Sequence, residues 1–328
     1  MTDVERYISA GERENTRRSY RSAVLHFEVE HGGFLPASSD AICGYLVKYA
    51  GSLAINTLLQ RLAALANWHV EHGFPDPTKA PTVRKVLKGI RTLHPAHEKQ
   101  ARPMQIQQVQ QVVTWLDAAI EAAARNGEIT IVKRHTRNKA LLLLGFWRGF
   151  RGDELTRLQV QFVSVAPGEG MTCYLPQTKG DRAMLGSTFH TPALKALCPV
   201  DAYMAWIELA GLSEGAVFRA VDRWGHLGEQ GLHINSLVPL LRNLFTAAGV
   251  SSPRQFSGHS LRRGFANWAT SNGWDLKTLM QYVGWRDVHS AMRYLDASDA
   301  FRDLRKSASQ PESPAEHAGP STGPPAQR

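Results

Sequence analysis

The sequence predicts a mainly α-helical protein with a small antiparallel β-sheet, divided into a helical N-terminal domain and a mixed α+β second domain. Three observations carry this prediction. Apolar residues recur at helical spacing through the first part of the chain, a proline-containing segment interrupts them, and strand-like runs occur in one limited region further on. The length of 328 residues fits two domains, at roughly 150 residues per domain.

The first domain is predicted to span residues 1–93 and to contain four helices. Apolar residues follow helical spacing in four stretches, and glycines or the sequence GFPDPTKAP separate them. The predicted helices cover 15–30, 39–50, 54–72 and 81–92. Because each helix has one apolar face, the four together indicate a compact helical bundle.

The last of these helices combines an apolar stripe with a strongly positive face. The stripe consists of Val83, Val86, Leu87 and Ile90, and the opposite face carries Arg84, Lys85, Lys88 and Arg91. Cations aligned along one helix face suit contacts with successive phosphates, so these four cations are predicted to bind DNA. A solvated helix face and binding to a membrane surface are the alternatives.

The charge of the whole chain agrees with a polyanionic partner. Its formal net charge is +9 and its isoelectric point is near 9.6. Residues 79–102 concentrate this excess, with seven lysines and arginines against one glutamate. Nucleic acid is therefore the first candidate partner.

Other features of the sequence predict the cellular compartment and whether a cofactor is needed. The longest apolar run, LLLLGFW, is far shorter than the roughly 20 residues that cross a bilayer, and the N-terminus has no apolar signal core. Cys43, Cys173 and Cys198 are widely spaced and form no CxxC pattern, so neither a disulfide framework nor a zinc site is indicated. We expect a cytoplasmic protein with no metal and no other cofactor.

A linker is predicted at 94–103, where two prolines and mixed charges replace helical periodicity. The second domain is predicted at 104–306, beginning with a long amphipathic helix from Ile106 and a buried helix over NKALLLLGFWRGF. The runs FVSV, MTCYL and STFHTP predict three antiparallel strands, and from residue 199 onward helices return. Residues 307–328, rich in proline, serine and glycine, are predicted to be disordered.

Five short motifs in the second domain follow one another in a fixed order. They are GFRGDEL around Arg151, QTKGDR around Lys179, HSLRR around His259 and Arg262, YVGW ending at Trp285, and AMRYL with Tyr294. Together they resemble the tyrosine recombinases, also called the phage integrase family, in a simple two-domain form. The resemblance runs from about residue 12 to about residue 305, because the N-terminal helices are similar to that family's core-binding domain. Each motif is short, so the specificity lies in order, spacing and context.

The resemblance implies that Tyr294 attacks DNA phosphorus and leaves a 3′-phosphotyrosine and a free 5′-hydroxyl. Arg151 and Arg262 match the two family arginines that clamp the scissile phosphate, and guanidinium suits this task because it stays charged and donates in a planar fork. Such chemistry needs a nucleophile, cations for the nonbridging oxygens and an acid for the leaving oxygen. With these groups the resemblance implies chemistry without a metal, and it implies no need for ATP, because the bond energy is kept in the covalent intermediate.

The other matching positions imply supporting roles. Lys179 corresponds to the hairpin lysine that protonates the leaving 5′ oxygen, and Glu154 to the acidic residue that steadies the site. His259 is expected to assist proton transfer from Tyr294, since a free tyrosine hydroxyl is mostly protonated at neutral pH, with a pKa of about 10. Trp285 stands where many relatives carry a second histidine; its indole can donate one hydrogen bond but cannot shuttle a proton.

Neighbouring residues of the same types do not fit the motif positions. Arg148 and Arg263 fall outside the two arginine motifs and are interpreted as DNA-backbone or structural residues. Tyr174, Tyr203 and Tyr282 occur in apolar or strand contexts, where a buried core phenol is the simpler explanation.

The resemblance further implies a homotetramer on two DNA sites, formed by a chain that can be monomeric in solution, with the segment SDAFRDLRK docking onto a neighbour. Two alternative functions remain at this point. One is a tyrosine-type topoisomerase that relaxes a single duplex, and the other is a catalytically silent DNA-binding regulator.

Overall fold

The computed structural model describes residues 3–11, 14–95, 100–178, 181 and 185–294. The chain divides into two compact units, Met1–Lys99 and Gln100–Arg328, so the division falls within the predicted linker. The predicted disordered tail 307–328 and the predicted docking segment 298–306 lie outside the described residues. None of the helices in the described ranges is long and apolar enough to cross a membrane.

The first unit is a helical bundle. Its helices are α1 Asp3–Gly11, α2 Glu14–Leu25, which continues as a π-helical turn His26–Glu30, α3 Ser39–Tyr49, α4 Ile55–Glu71 and α5 Pro81–Leu93. Ser38 caps α3 by accepting a hydrogen bond from the Ala41 N–H, and Pro81 occupies the first turn of α5, where a missing N–H costs nothing. Phe27, Tyr45 and Leu58 are fully buried at the centre of the bundle.

The second unit is built around a buried helix, α7 Ile129–Trp147. Every residue from Ala140 to Trp147 is buried, as expected for a helix that is apolar on all sides. The elements packed in the same unit are α6 Ile106–Arg125, α8 Gly152–Thr156, α9 Pro199–Ala210, α10 Ile234–Ala247, α11 Gly258–Ser271, α12 Leu276–Val283 and α13 Val288–Met292.

The predicted three-stranded antiparallel sheet is present in the second unit. Its strands are β1 Val163–Ala166, β2 Gly170–Leu175 and β3 Ser187–Pro192, in the order β1-β2-β3. Cys173 pairs with Val163 on one side and with Phe189 on the other. This register turns Cys173 and Phe189 toward the core and places the β2–β3 connection at one end of the sheet.

Three features of the fold differ from the sequence prediction. Helix α1 was not predicted, and α7 begins at Ile129, nine residues before the predicted stretch. Helices do return after residue 199, but β4 Arg219–Val221 and β5 Leu227–Gly231, which were not predicted, form a second antiparallel hairpin among them. A three-residue strand is too short to show alternation, and the turn depends on the Asp222 carboxylate, which accepts from the N–H groups of Trp224 and His226.

Candidate active site

The predicted catalytic residues in the described part of the chain come from four separate elements of the second unit. Arg151 and Glu154 lie at the start of α8, His259 and Arg262 on α11, Trp285 just after α12, and Tyr294 just after α13. The structure brings these six side chains together. Lys179 lies outside the described residues.

Glu154 holds Arg151 at both ends. One carboxylate oxygen accepts a hydrogen bond from the Arg151 backbone N–H at 2.8 Å, and the other accepts from Nη1 of the same residue at 2.6 Å. The Glu154 side chain is 3% exposed and that of Arg151 is 19% exposed. Arg151 therefore keeps one edge accessible while its orientation is fixed from the protein side.

Arg262 lies against the same carboxylate as Arg151 and is completely buried. Its Nη1 donates to the Gly149 carbonyl at 2.7 Å and lies 3.7 Å from a carboxylate oxygen of Glu154, while Nη2 donates to the Val283 carbonyl at 3.3 Å. Gly149 has φ +61, a backbone conformation that glycine adopts without strain. Glu154 therefore links the two arginines, and two backbone carbonyls fix the plane of the Arg262 guanidinium.

Burial determines the electrostatics of this pair. Loss of solvation and, to a smaller extent, the neighbouring Arg151 lower the pKa of Arg262 to about 9, although Glu154 acts in the opposite direction. The guanidinium remains cationic at neutral pH, because this pKa is still above 7. Two cations and one carboxylate leave the cluster with a positive charge that suits an anionic ligand.

Tyr294 lies at one side of the cluster, next to His259 and Trp285. Its hydroxyl oxygen lies 3.1 Å from Nδ1 of His259, and its ring packs on Trp285 with centroids 5.2 Å apart. The Arg262 guanidinium carbon is 5.6 Å from the Tyr294 ring centroid and 4.9 Å from that of Trp285. The phenol is thus placed beside the buried cation by packing and beside an imidazole by a polar contact, all within one chain.

Two buried donors in this cluster lack acceptors. Nε of Arg262 and Nε1 of Trp285 have no hydrogen-bond partner among the residues that the structure describes. A buried unsatisfied donor costs about 1–3 kcal/mol. An oxyanion bound in the cluster would supply the missing acceptors, so the arrangement is suited to a phosphate or a similar group.

The structure assigns Arg148 and Arg263 to the interior. Arg148 is 3% exposed, and its guanidinium stacks 4.2 Å from the ring centroid of Tyr282 and 4.6 Å from that of Phe189. Burial lowers the pKa of Arg148. Arg263 donates to the carbonyl of Arg293 at 3.3 Å. Arg263 thereby supports the backbone immediately before Tyr294, a contribution that its place in the motif did not reveal.

The other tyrosines of this unit differ in exposure. Tyr203 is 4% exposed, and Tyr282 packs between Phe265 and Trp274. The interpretation of Tyr174 as a buried core phenol is wrong, because its residue is 38% exposed. Strand β2 alternates between its two faces, and Tyr174 falls on the outer face against Phe162.

In the first unit, the four cations predicted to bind DNA all lie on the exposed side of α5, opposite the buried Val83 and Ile90. They are Arg84, Lys85, Lys88 and Arg91. Arg84 donates from Nε and Nη2 to the carbonyl of Lys79, which holds its side chain along the start of the helix. The cationic face is therefore accessible to a polyanion.

Replacing Glu154 with glutamine is expected to destabilise the protein strongly in the absence of any ligand. The substitution removes the carboxylate that lies against Arg151 and Arg262, leaving buried cations without a counter-charge. Breaking a buried ion pair in this way costs about 3–5 kcal/mol. Urea denaturation followed by tryptophan fluorescence would measure the decrease in the free energy of unfolding.

The adjacent Asp153 provides a matched control. It also pairs with an arginine of its own helix region, Arg157, at 2.8 Å, but both side chains are nearly half exposed. Such exposed pairs contribute about 0–1 kcal/mol, so Asp153→Asn is expected to unfold almost as the unchanged protein does. Equal losses from the two substitutions would contradict the role assigned to Glu154.

Comparison with known proteins adds a family-level similarity. The family model described as the phage integrase family matches residues 108–300. The chain is also similar to an integrase/recombinase XerD homolog from Selenomonas ruminantium, with 26% identity over 309 residues that cover 92% of this chain and 86% of the relative.

Two solved structures share the fold at low sequence identity. One is the XerH site-specific recombinase bound to palindromic difH substrate in a post-cleavage complex, with a TM-score of 0.60, 18% identity, and coverage of 89% of this chain and 78% of that chain. The other is a lambda integrase tetramer bound to a Holliday junction, with a TM-score of 0.53, 15% identity, and coverage of 89% and 74%.

Proposed function

The chain belongs to the phage integrase family, and on that basis we propose that it is a site-specific DNA recombinase that cleaves and rejoins DNA through a 3′-phosphotyrosine at Tyr294. One observation carries the assignment of the nucleophile. The Tyr294 hydroxyl lies 3.1 Å from His259, and the Tyr294 ring packs beside the buried Arg262 of the same chain.

In the cleavage step, the Tyr294 oxygen attacks the scissile phosphorus. His259 takes the phenolic proton through Nδ1, which can accept when the neutral imidazole carries its proton on Nε2. Arg151 and Arg262 neutralise the nonbridging oxygens as negative charge develops there, and Trp285 donates its indole N–H. Glu154 holds the two arginines in place and does not touch the phosphate.

The same step releases the 5′ oxygen of the DNA. The bond from phosphorus to this oxygen breaks as the bond to Tyr294 forms, and Lys179 supplies the proton that the leaving oxygen needs. Rejoining reverses the sequence, because the 5′-hydroxyl of a partner strand attacks the phosphotyrosine and the phenol regains its proton. No net bond energy is lost, so the reaction consumes no ATP. The two arginines supply the charge stabilisation that a metal would otherwise provide, so we propose that it needs no metal.

Binding of the duplex requires surfaces beyond this site. We assign phosphate contacts in the first unit to the exposed cations of α5, Arg84, Lys85, Lys88 and Arg91. Strand exchange between two DNA sites implies four protomers acting together. The similarity to the lambda integrase tetramer bound to a Holliday junction supports this homotetramer at the level of fold.

Covalent trapping is the experiment that tests the proposal. A pool of nicked duplexes with a randomised central sequence is incubated with the full chain in EDTA. The nick lets the short 5′-hydroxyl fragment diffuse away, so the cleaved strand stays attached to the protein. We expect a denaturation-resistant adduct, mapped to the peptide that contains Tyr294, and a shared sequence among the attached strands.

Product analysis separates the recombinase from the two alternatives. With the recovered sequence placed on two duplexes, we expect joints between them. Relaxation of a supercoiled plasmid without any intermolecular joint would indicate the topoisomerase. Binding without an adduct would indicate the catalytically silent regulator. The presence of all six described catalytic residues, from Arg151 to Tyr294, argues against that alternative.

A further inference from the structure

A fully buried carboxylate, Asp181, lies in the connection between β2 and β3, two residues after Lys179. One of its oxygens accepts a hydrogen bond from the Gly186 N–H at 2.7 Å. Its own N–H donates to the Thr178 carbonyl at 3.0 Å. Burying a carboxylate costs free energy unless its charge is paired, so its ionic contacts matter for the local structure.

Arg286, which lies 105 residues further along the chain, is an ionic partner of Asp181. Its Nη2 donates to the second Asp181 oxygen at 3.2 Å. Arg286 directly follows Trp285, in the loop between α12 and α13. The ion pair therefore joins the connection that contains Lys179 to the loop that presents Trp285 against Tyr294.

A second contact joins this loop to the neighbouring strand β3. Gly284 has φ +75, and a side-chain carbon added there would come within 3.1 Å of the Phe189 ring of β3. The missing side chain lets the loop after α12 approach the sheet closely. The loop after α12 thus meets the sheet at a packed contact and the β2–β3 connection at a charged contact.

We propose that Asp181 and Arg286 are positioning residues, whose ion pair sets the β2–β3 connection relative to Trp285 and Tyr294 so that Lys179 can protonate the leaving oxygen. The inference rests on the proposed function, in which Lys179 is the general acid. Neither Asp181 nor Arg286 touches the reacting atoms. Their effect should therefore appear in leaving-group protonation and not in phosphate binding or nucleophilic attack.

A sulfur-substituted substrate isolates leaving-group protonation. Two nicked duplexes of the recovered sequence are compared, identical except that sulfur replaces the 5′-bridging oxygen at the scissile phosphate. A thiol has a pKa of about 8.5, whereas water is near 15.7, so a thiolate leaves without a proton while an alkoxide does not. The rate of adduct formation in a single turnover is measured for each protein on each substrate.

The expected pattern is a selective rescue. Asp181→Asn retains an oxygen that can accept from Gly186 but loses the charge. We expect Asp181→Asn and Arg286→Gln each to slow cleavage of the oxygen substrate by about 10–100-fold. Each variant should cleave the sulfur substrate at a rate within about threefold of that of the unchanged protein. Lys179→Ala should show the same pattern with a larger loss of about 10²–10⁴-fold.

A double variant tests whether the two residues act as a pair. Asp181→Asn combined with Arg286→Gln should be no slower than the slower single variant, because either change already breaks the contact. Arg286 has a side chain that is 56% exposed, so its variant keeps the test available if the buried substitution unfolds. Asp117→Asn, which breaks the partly exposed pair with Lys139, is the matched control and should cleave both substrates normally.

Three results would overturn the inference. They are equal slowing of Asp181→Asn on both substrates, multiplicative losses in the double variant, and a Lys179→Ala protein that is not slowed on oxygen. Failure of the proposed function looks different. In that case the unchanged protein forms no adduct on either substrate, whereas failure of the positioning role leaves its adduct intact.

Discussion

Tyr294→Phe is expected to abolish the covalent DNA adduct while leaving DNA binding and folding unchanged. The substitution removes only the hydroxyl that lies 3.1 Å from His259. The ring contacts with Trp285 and with the Arg262 guanidinium do not involve that oxygen and should persist. Adduct formation on the nicked duplex, DNA affinity by fluorescence anisotropy and the melting temperature together measure the three expectations.

Tyr203→Phe is the matched control. Tyr203 belongs to the same unit but is buried on α9, and burial raises the pKa of its phenol, which disfavours the nucleophilic phenolate. Its loss of one hydroxyl should leave the adduct intact. An undiminished adduct from Tyr294→Phe would remove Tyr294 as the nucleophile.

The placement of Tyr294 also predicts that each protomer assembles its own site. Because the phenol contacts His259 and packs near Arg262 within one chain, mixing Tyr294→Phe with Arg262→Ala protein should not restore adduct formation. Each mixed assembly then lacks a chain that holds both groups. Restored adduct would show that the nucleophile is donated across subunits.

The sequence was sufficient to predict most of the fold because most elements carry long, regular periodicity. Helices α2–α5 and strands β1–β3 were predicted within a few residues of their observed positions. Helix α1 and the hairpin β4–β5 were not. The hairpin is short, and its turn depends on one side chain, Asp222, that accepts from two backbone N–H groups, a contact that leaves no periodic pattern.

For the candidate site, the order of the motifs predicted which residues lie close together but not which hydrogen bonds and ion pairs hold them there. Motif spacing relates residues along one element, as for Arg151 and Glu154 on α8. It does not reveal that Arg262 donates to the carbonyl of Val283, because every residue has a backbone carbonyl and the sequence does not show which one accepts. Nor does it pair Asp181 with Arg286, since each looks like an ordinary charged residue in its own loop.

Arg262→Lys is expected to slow adduct formation by about 10²–10³-fold at pH 8, the loss typical of removing one transition-state donor. The guanidinium donates to the Gly149 and Val283 carbonyls at once and keeps Nε for another acceptor. An ammonium group on a flexible stem cannot reproduce that planar fork. Single-turnover rates with saturating protein would separate this loss from weaker DNA binding.

The pH dependence of Arg262→Lys follows from the burial of this position. Burial and the charge of Arg151 lower the pKa of Arg262 to about 9, and a lysine begins about two pKa units below an arginine. The same environment would lower the pKa of the lysine as well, so the lysine loses its charge at a lower pH than the arginine does. The rate of Arg262→Lys relative to the unchanged protein should therefore increase as the pH falls from 8.5 to about 6. Taking the ratio cancels every titration that the two proteins share. Arg262→Met has no charge to regain, so its ratio should stay flat, and an equally flat ratio for Arg262→Lys would contradict the requirement for a cation at this position.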